Sequence, residues 1–377
     1  MNKHLQLATL ILAAGLAAAA QTTDPKLYRG AGNEWIQEVH GTLAAAKALK
    51  VISTAGAIHI QGAQQSNITY IAREHVRAGS EQAARRALAG LRFSAGSGEL
   101  AWLKAECDGS TNRYTDFEIQ APVQTALIKL ETEGGAVTVS NVSGKVIANT
   151  GGGDIKLDQV GGAIVASSGG GNIDIGKVGA DVKAETGGGS IHIDSAGGQI
   201  AAKSGGGNLR IGTGKVMWLE TGGGRIQVDK CIGKIKAESG GGGIELKDVL
   251  GPAEIQTGGG GIKVGPVIGG IRAETGSGPI IATLARGGIA FTDSRLETSV
   301  GDIVVYIPDG LGITIRAAVE AARGQGIQTE FSEIKVHGSN DYGPREFYAE
   351  GSLNGGGPVL HVHTSTGNIS FKRKAKD

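Results

Sequence analysis

Carboxylates return at a fixed spacing through the middle of this chain, and paired carboxylates are what glycosidic bond cleavage needs. Glu185, Lys203, Glu220, Glu238, Gln256 and Glu274 form one series, which sets Glu220 beside Glu238. A polysaccharide hydrolase or lyase would need two such groups on one face, about 5–9.5 Å apart, with one tuned as an acid. The neighbours of this series, Lys183, Lys236 and Arg272, would neutralise it. A second series reads Thr138, Lys156, Asp174, His192, Arg210, Gln227, Glu245 and Lys263. Its charges alternate, which is the pattern of a solvated face.

Metal chemistry has fewer candidates. Calcium-binding glycine-rich repeats place an Asp after the glycines in every coil. Here that position holds Asp154, Asn172, Ser190, Asn208, Arg225, Gly243 and Gly261 in turn, so no ladder of equivalent sites is expected. His361 and His363 lie two apart, on one face of an expected strand, without an identifiable third ligand. A Thr/Ser series from Thr150 to Thr275 has the regularity of an ice-binding face. Its neighbours are charged, however, and its phase is inward or at a corner. No metal and no cofactor is expected.

The element that positions all of these residues is a repeat, Thr/Ser-Gly-Gly-Gly-x-Ile. It starts at Thr150, Ser168, Thr186, Ser204, Thr221, Ser239 and Thr257, weaker at Thr275, with a degenerate copy at Thr132. The spacing is 18 residues except for one step of 17, from Ser204 to Thr221. A short fixed period marks a solenoid, in which each repeat buries its apolar face only by stacking on the next. Around Thr186, Val182, Ala184 and Thr186 alternate with Lys183 and Glu185, and Ile191 and Ile193 alternate with His192. Period-two alternation predicts two short strands per repeat, each with one buried face.

Stacking the repeats predicts inward rows. One runs Val137, Ile155, Ile173, Ile191, Leu209, Ile226, Ile244, Ile262, Ile280, and a second runs from Val139 to Val264. A third is mostly small, from Ala148 to Ala273. A fourth reads Val142, Val160, Val178, Ala196, Cys231, Val249, Val267, which makes Cys231 a small buried hydrophobe. The other reading of Cys231, in an exported chain with two cysteines, is a disulfide with Cys107. Because glycine in an ordered element costs about 0.5–1 kcal/mol relative to alanine, the triple glycines imply positive φ or close contact between coils.

Composition bounds the rest. Lys3, the apolar run Leu7 to Leu16 and Ala18-Ala19-Ala20 predict a secretory signal peptide over 1–20. No later apolar run is long enough to span a membrane. Removing 1–20 takes away Lys3 and no acid, which leaves 36 basic and 36 acidic residues. That balance argues against nucleic acid, whose phosphates call for many unopposed cations. Glycine makes up 66 of 377 residues, but its phasing between β-branched residues favours order over disorder.

The flanks depart from the period. Residues 21–130 read as a strand-rich capping module with one helix, from Glu81 after Ser80 as N-cap. Residues 131–282 are the regular β-solenoid of about nine coils. Residues 283–377 read as a further β module, with Thr366-Gly-Asn-Ile-Ser370 echoing the repeat. The fold class is therefore all-β, a β-solenoid flanked by strand-rich modules. Along the chain, Gly56-Ala-Ile-His-Ile-Gln-Gly62, Phe117-Glu-Ile-Gln-Ala-Pro122, the Thr-x-x-Gly-x-Ile coils, Gly301-Asp-Ile-Val-Val-Tyr-Ile-Pro308 and Gly367-Asn-Ile-Ser-Phe371 follow one another. This order resembles the bacterial family of exported "putative adhesin" β-solenoid proteins. The resemblance implies an envelope or surface protein, in the periplasm or on the cell surface, and supplies no catalytic residues.

One feature points to binding. Trp218 should face outward in the row Ile147, Val165, Lys183, Ala201, Trp218, and it lies in the single 17-residue coil. An outward apolar stripe marks an interface. Either a flanking module packs on it, or it is a platform for an envelope protein or a glycan. The expected function is a non-catalytic, adhesin-like binding or scaffold column. The alternative is a carbohydrate-active enzyme on the same fold.

Overall fold

The computed structural model describes residues 20–21, 25–107, 113–322, 325–338 and 345–375. The expected signal peptide lies, except for Ala20, outside them. Each regular repeat contributes one strand to each of two parallel sheets, so the chain is an all-β solenoid. Ile155–Val160 pairs in register with Ile173–Val178 in the first sheet, and Ile164–Ser168 with Val182–Thr186 in the second. The four inward rows stack as the period predicts, and their side chains are buried between the sheets. A fifth inward row opens the second-sheet strands: Val146, Ile164, Val182, Ile200, Met217, Ile235, Ala253, Ile271.

The triple glycines answer to contact between coils. A Cβ on the first glycine, Gly187, would meet the carbonyl oxygen of Gly169 at 2.1 Å, and one on the third, Gly189, would meet that of Gly171 at 2.1 Å. Neither glycine has positive φ. The buried Thr/Ser row completes the turn. Thr186 Oγ1 accepts from its own coil's Gly189 N–H at 3.2 Å and donates to the Gly171 carbonyl of the preceding coil at 2.8 Å. The same pair of hydrogen bonds recurs at Thr150, Ser168, Ser204, Thr221, Ser239 and Thr257. Buried hydroxyls and glycine amides are thus satisfied at every coil, as a buried polar turn requires.

Both sheets run unbroken across positions 130/131 and 282/283. At the N-terminal end, Ala48–Ser53 pairs in parallel with both Leu100–Glu106 and Leu127–Thr132. Ile58–Ala63 likewise lies between Arg113–Pro122 and Val137–Val142. The coil formed by 48–63 is therefore inserted between two coils that follow it in sequence. The C-terminal end mirrors this. Val359–Thr366 lies between Ser294–Val300 and Ile313–Ala322, and Ile369–Arg373 between Ile303–Ile307 and Ile327–Thr329. Neither the first nor the last coil can peel away without breaking pairings on both sides.

Antiparallel strands cover the two ends, where a parallel stack would expose sheet edge. At one end, Arg92–Gly96 pairs with Leu100–Glu106, and Asn67–Arg77 pairs with Arg113–Pro122 and Glu34–Ala44. At the other, Arg345–Leu353 pairs with Ile313–Ala322. The helix spans Glu81–Leu88, with Ser80 Oγ accepting from Ala83 N–H. It packs Ala84 and Leu88 on Val76 beside Trp35. It ends at Leu88, where the chain turns at Ala89-Gly90.

Candidate functional site

The outer face of the second sheet carries the outward rows that sequence spacing singled out. Register places Ile147, Val165, Lys183, Ala201 and Trp218 in one line, each on the next coil. Trp218 is 44 % exposed, so no described flanking segment covers it. The same line continues toward the N-terminal end through Lys129 and Lys50 to Trp102, which is 37 % exposed. Sequence reasoning missed Trp102. The available signal was the alternation Ala101, Leu103, Ala105, all buried, which sets Trp102 outward on its strand. Its ring lies across Gly96 of the neighbouring strand, where a Cβ would come within 2.9 Å of it.

Trp218 sits in a shallow depression of about 250 Å³ lined by Ala201, Lys203, Glu220, Lys236 and Glu238. Lys203 Nζ donates to Glu220 Oε1 at 2.7 Å, and Lys236 Nζ contacts Glu238 Oε1 at 2.7 Å. These bonds raise both lysines above their ordinary range. Glu220 and Glu238 do lie side by side on adjacent strands, as the spacing predicts. Glu220 is exposed, Glu238 is half-buried, and each is held by an ammonium.

The other candidates have structural occupations. Asp174 pairs with His192 at 3.2 Å, and Glu245 with Lys263 at 3.3 Å, on the outer face of the first sheet. The residues after the glycines form a capping ladder. Asp154 Oδ1 accepts from Asn172 N–H, Asn172 Oδ1 from Ser190 N–H, and Asn208 Oδ1 from Arg225 N–H, at 2.7–2.9 Å. His361 and His363 share a face, and His363 Nε2 contacts Glu320 Oε1 at 3.0 Å. Among the described residues, no three His, Cys, Asp or Glu side chains are grouped to hold a metal. Cys231 is buried in the expected row, and burial pushes its thiol up. Its Sγ lies 3.2 Å from the Gly233 carbonyl. Cys107 is a free thiol at the end of Leu100–Glu106, many coils away. At about 4.8 Å per strand that separation far exceeds the reach of a disulfide.

A second polar cluster, which the sequence did not signal, lies on the antiparallel cap. His75 Nδ1 is 3.2 Å from Glu34 Oε1, and its Nε2 is 3.4 Å from Asp116 Oδ2. The imidazole stacks on Tyr114 with ring centroids 4.3 Å apart. Tyr114 donates to Glu34 at 3.0 Å, which with the neighbouring histidine holds Glu34 below the usual carboxylate range. Burial first, and then Glu34, push Tyr114 up to about 12. His75 Nε2 is buried without a hydrogen-bond partner among the described residues, and the remaining contacts of the cluster tie three strands together.

Among the described residues, no helix is long and apolar enough to cross a membrane. No family model matches this sequence, and no curated protein matches it. Among solved structures, the chain is similar to a "putative adhesin" from Bacteroides fragilis NCTC 9343, with 12 % identity, a TM-score of 0.29, and coverage of 90 % of this chain and 97 % of that one. It is also similar to a "putative cell adhesion protein" from Clostridium sporogenes ATCC 15579, with 10 % identity, a TM-score of 0.16, and coverage of 89 % and 99 %. Neither likeness assigns a residue or an activity to this chain.

Proposed function

We propose that this chain is a non-catalytic, adhesin-like binding column of the bacterial cell envelope, exported to the periplasm or the cell surface. It holds an envelope protein or a glycan on the outer face around Trp218. The observation that carries this reading is Trp218 itself: a large aromatic side chain held outward and uncovered on a sheet whose register fixes its neighbours. Rigid presentation lowers the ordering cost of binding. Segments 21–130 and 283–377 serve in this reading as the closed ends of the column around 131–282.

Retention on immobilised envelope extract tests the proposal. Trp218→Ala should lose retention while keeping the wild-type melting transition, because its side chain lies outside the core. Unchanged retention would overturn the assignment of this face. The carbohydrate-active alternative rests on Glu220 beside Glu238. Turnover of a polysaccharide by the wild type that vanishes in the Glu220→Gln/Glu238→Gln protein would replace display with catalysis.

A further inference from the structure

We infer that the outer face of the second sheet is a track for an extended, uncharged polysaccharide lying parallel to the column axis, with Trp218 and Trp102 as its two stacking platforms. This inference rests on the binding reading above and specifies the chemistry of the partner.

The direction comes from register. Trp102 and Trp218 occupy one outward row, seven coil steps apart. At about 4.8 Å per step they stand about 34 Å from each other along the axis. Between them Ile147, Val165 and Ala201 are apolar, and Lys50, Lys129 and Lys183 are not. The rise of one coil is close to the length of one pyranose residue in an extended chain, so a polymer running along the row sets about one sugar beside each coil. Further depressions lie along the same face. One of about 460 Å³ is lined by Ile52, Glu131 and Asn149, and one of about 410 Å³ by Gln256, Glu274 and Glu297.

The class of ligand comes from charge. Lys50, Lys104, Lys129, Lys183, Lys203 and Lys236 each contact a carboxylate on this face, at 2.7–3.6 Å, with Lys50 and Lys129 sharing Glu131. The two signs are interleaved, so neither an anionic nor a cationic polymer would find a continuous row of opposite charge. The ion pairs keep their outward lone pairs and N–H groups, which suit hydroxyls. Trp rings offer flat apolar faces to the C–H side of a sugar ring. A protein partner would call for a contiguous apolar centre depleted of charge. Here the aromatic rings are separated by ion-paired positions.

The test measures retention of the purified full chain on cellulose, on chitin and, by affinity electrophoresis, on neutral xylan, with alginate as the charged comparison. At least one uncharged polymer should retain the wild type, and retention should survive about 1 M salt because no ionic contact carries it. Trp218→Ala should weaken retention about tenfold or more, and Trp218→Phe much less. Trp102→Ala should weaken binding of the polymer but not of a trisaccharide of the same sugar, which is too short to span both rings. The inference is overturned if no uncharged polymer retains the protein, if only alginate does so in a salt-sensitive way, or if Trp218→Ala binds as the wild type. Equal loss of polymer and trisaccharide on Trp102→Ala would overturn the extended track. If Trp218→Ala abolishes retention on envelope extract while every uncharged polymer fails, the polysaccharide assignment falls and the binding column stands.

Discussion

Ile200 and Met217 together fill the space that a side chain on Gly214 would take: Ile200 Cδ1 lies 2.6 Å and Met217 Cε 3.0 Å from the position of a Cβ there. Gly214 stands in the inward row that otherwise holds Val142, Val160, Val178, Ala196, Cys231, Val249 and Val267. This is the 17-residue coil. Its missing residue comes out of the turn after Gly214, where Lys215 alone replaces Gly197-Gly198 before the next strand. The shorter turn leaves no room for a branched side chain, and the flexible thioether closes the gap.

Replacing Gly214 by valine would restore the residue most coils carry there. It should nonetheless destabilise the column by about 1–3 kcal/mol, since overpacking forces neighbours off their rotamers. The double variant Gly214→Ala/Met217→Val should recover some of what Gly214→Ala loses, because the two positions share one space. Urea midpoints measure both. A Gly214→Val protein as stable as the wild type would show that the coil tolerates the bulk.

The glycines of one turn should differ sharply under the same substitution. Gly188, the middle glycine, has nothing within 4 Å of an added Cβ, whereas Gly189 would press one onto the Gly171 carbonyl at 2.1 Å. Gly188→Ala should be neutral or stabilise by up to about 1 kcal/mol, through reduced freedom of the unfolded chain. Gly189→Ala must push adjacent coils apart and should lower the melting temperature clearly. Equal melting of the two variants would mean that coil contact does not explain the glycines.

Much of this column was legible because parallel in-register stacking turns the sequence period into the strand register. Ile155 pairs with Ile173 and Ala184 with Ala202 for no reason beyond the 18-residue step. The ends were not legible, because their coils lack the repeat and pair with partners distant in sequence. Leu49 sits beside both Ile128 and Ala101, and nothing local in Leu49 indicates either. Trp102 was missed for the same reason, although its strand alternates as clearly as Val182–Thr186. Phase alone sets the Thr/Ser row inward or at a corner, but the carbonyl it reaches belongs to the preceding coil, so its bonding is visible only in three dimensions.

The two thiols should separate cleanly in a labelling experiment. Cys231 is buried, and burial raises its thiol, so the reactive thiolate is scarce. Cys107 is partly exposed at a strand end. A thiol reagent at pH 8 should modify Cys107 alone in the native protein and both cysteines in denaturant. Two equivalents in the native state, or none in denaturant without reductant, would contradict the buried and unpaired placement of Cys231.

Glu74 supplies a pH dependence whose sign can be worked out. It is 5 % exposed in the N-terminal cap, beside Gln37 and Thr115 on the paired strands, and accepts from Gln37 Nε2 at 2.9 Å. Burial pushes its carboxyl up to about 7 from an ordinary 4.5, against a smaller opposing effect of Gln37. Below pH 4.5 both folded and unfolded states carry the proton, and Glu74 costs nothing. Between pH 4.5 and 7 the unfolded chain ionises while the folded one holds its proton, so stability falls as pH rises. The loss levels off above pH 7 at about 3 kcal/mol. Glu74→Gln removes the titration and keeps a polar group facing Gln37. Its stability relative to wild type should therefore rise between pH 4 and pH 8 by up to that amount, read from urea unfolding at each pH. A difference that stays constant across this window would mean that Glu74 ionises in the folded protein as it does in water.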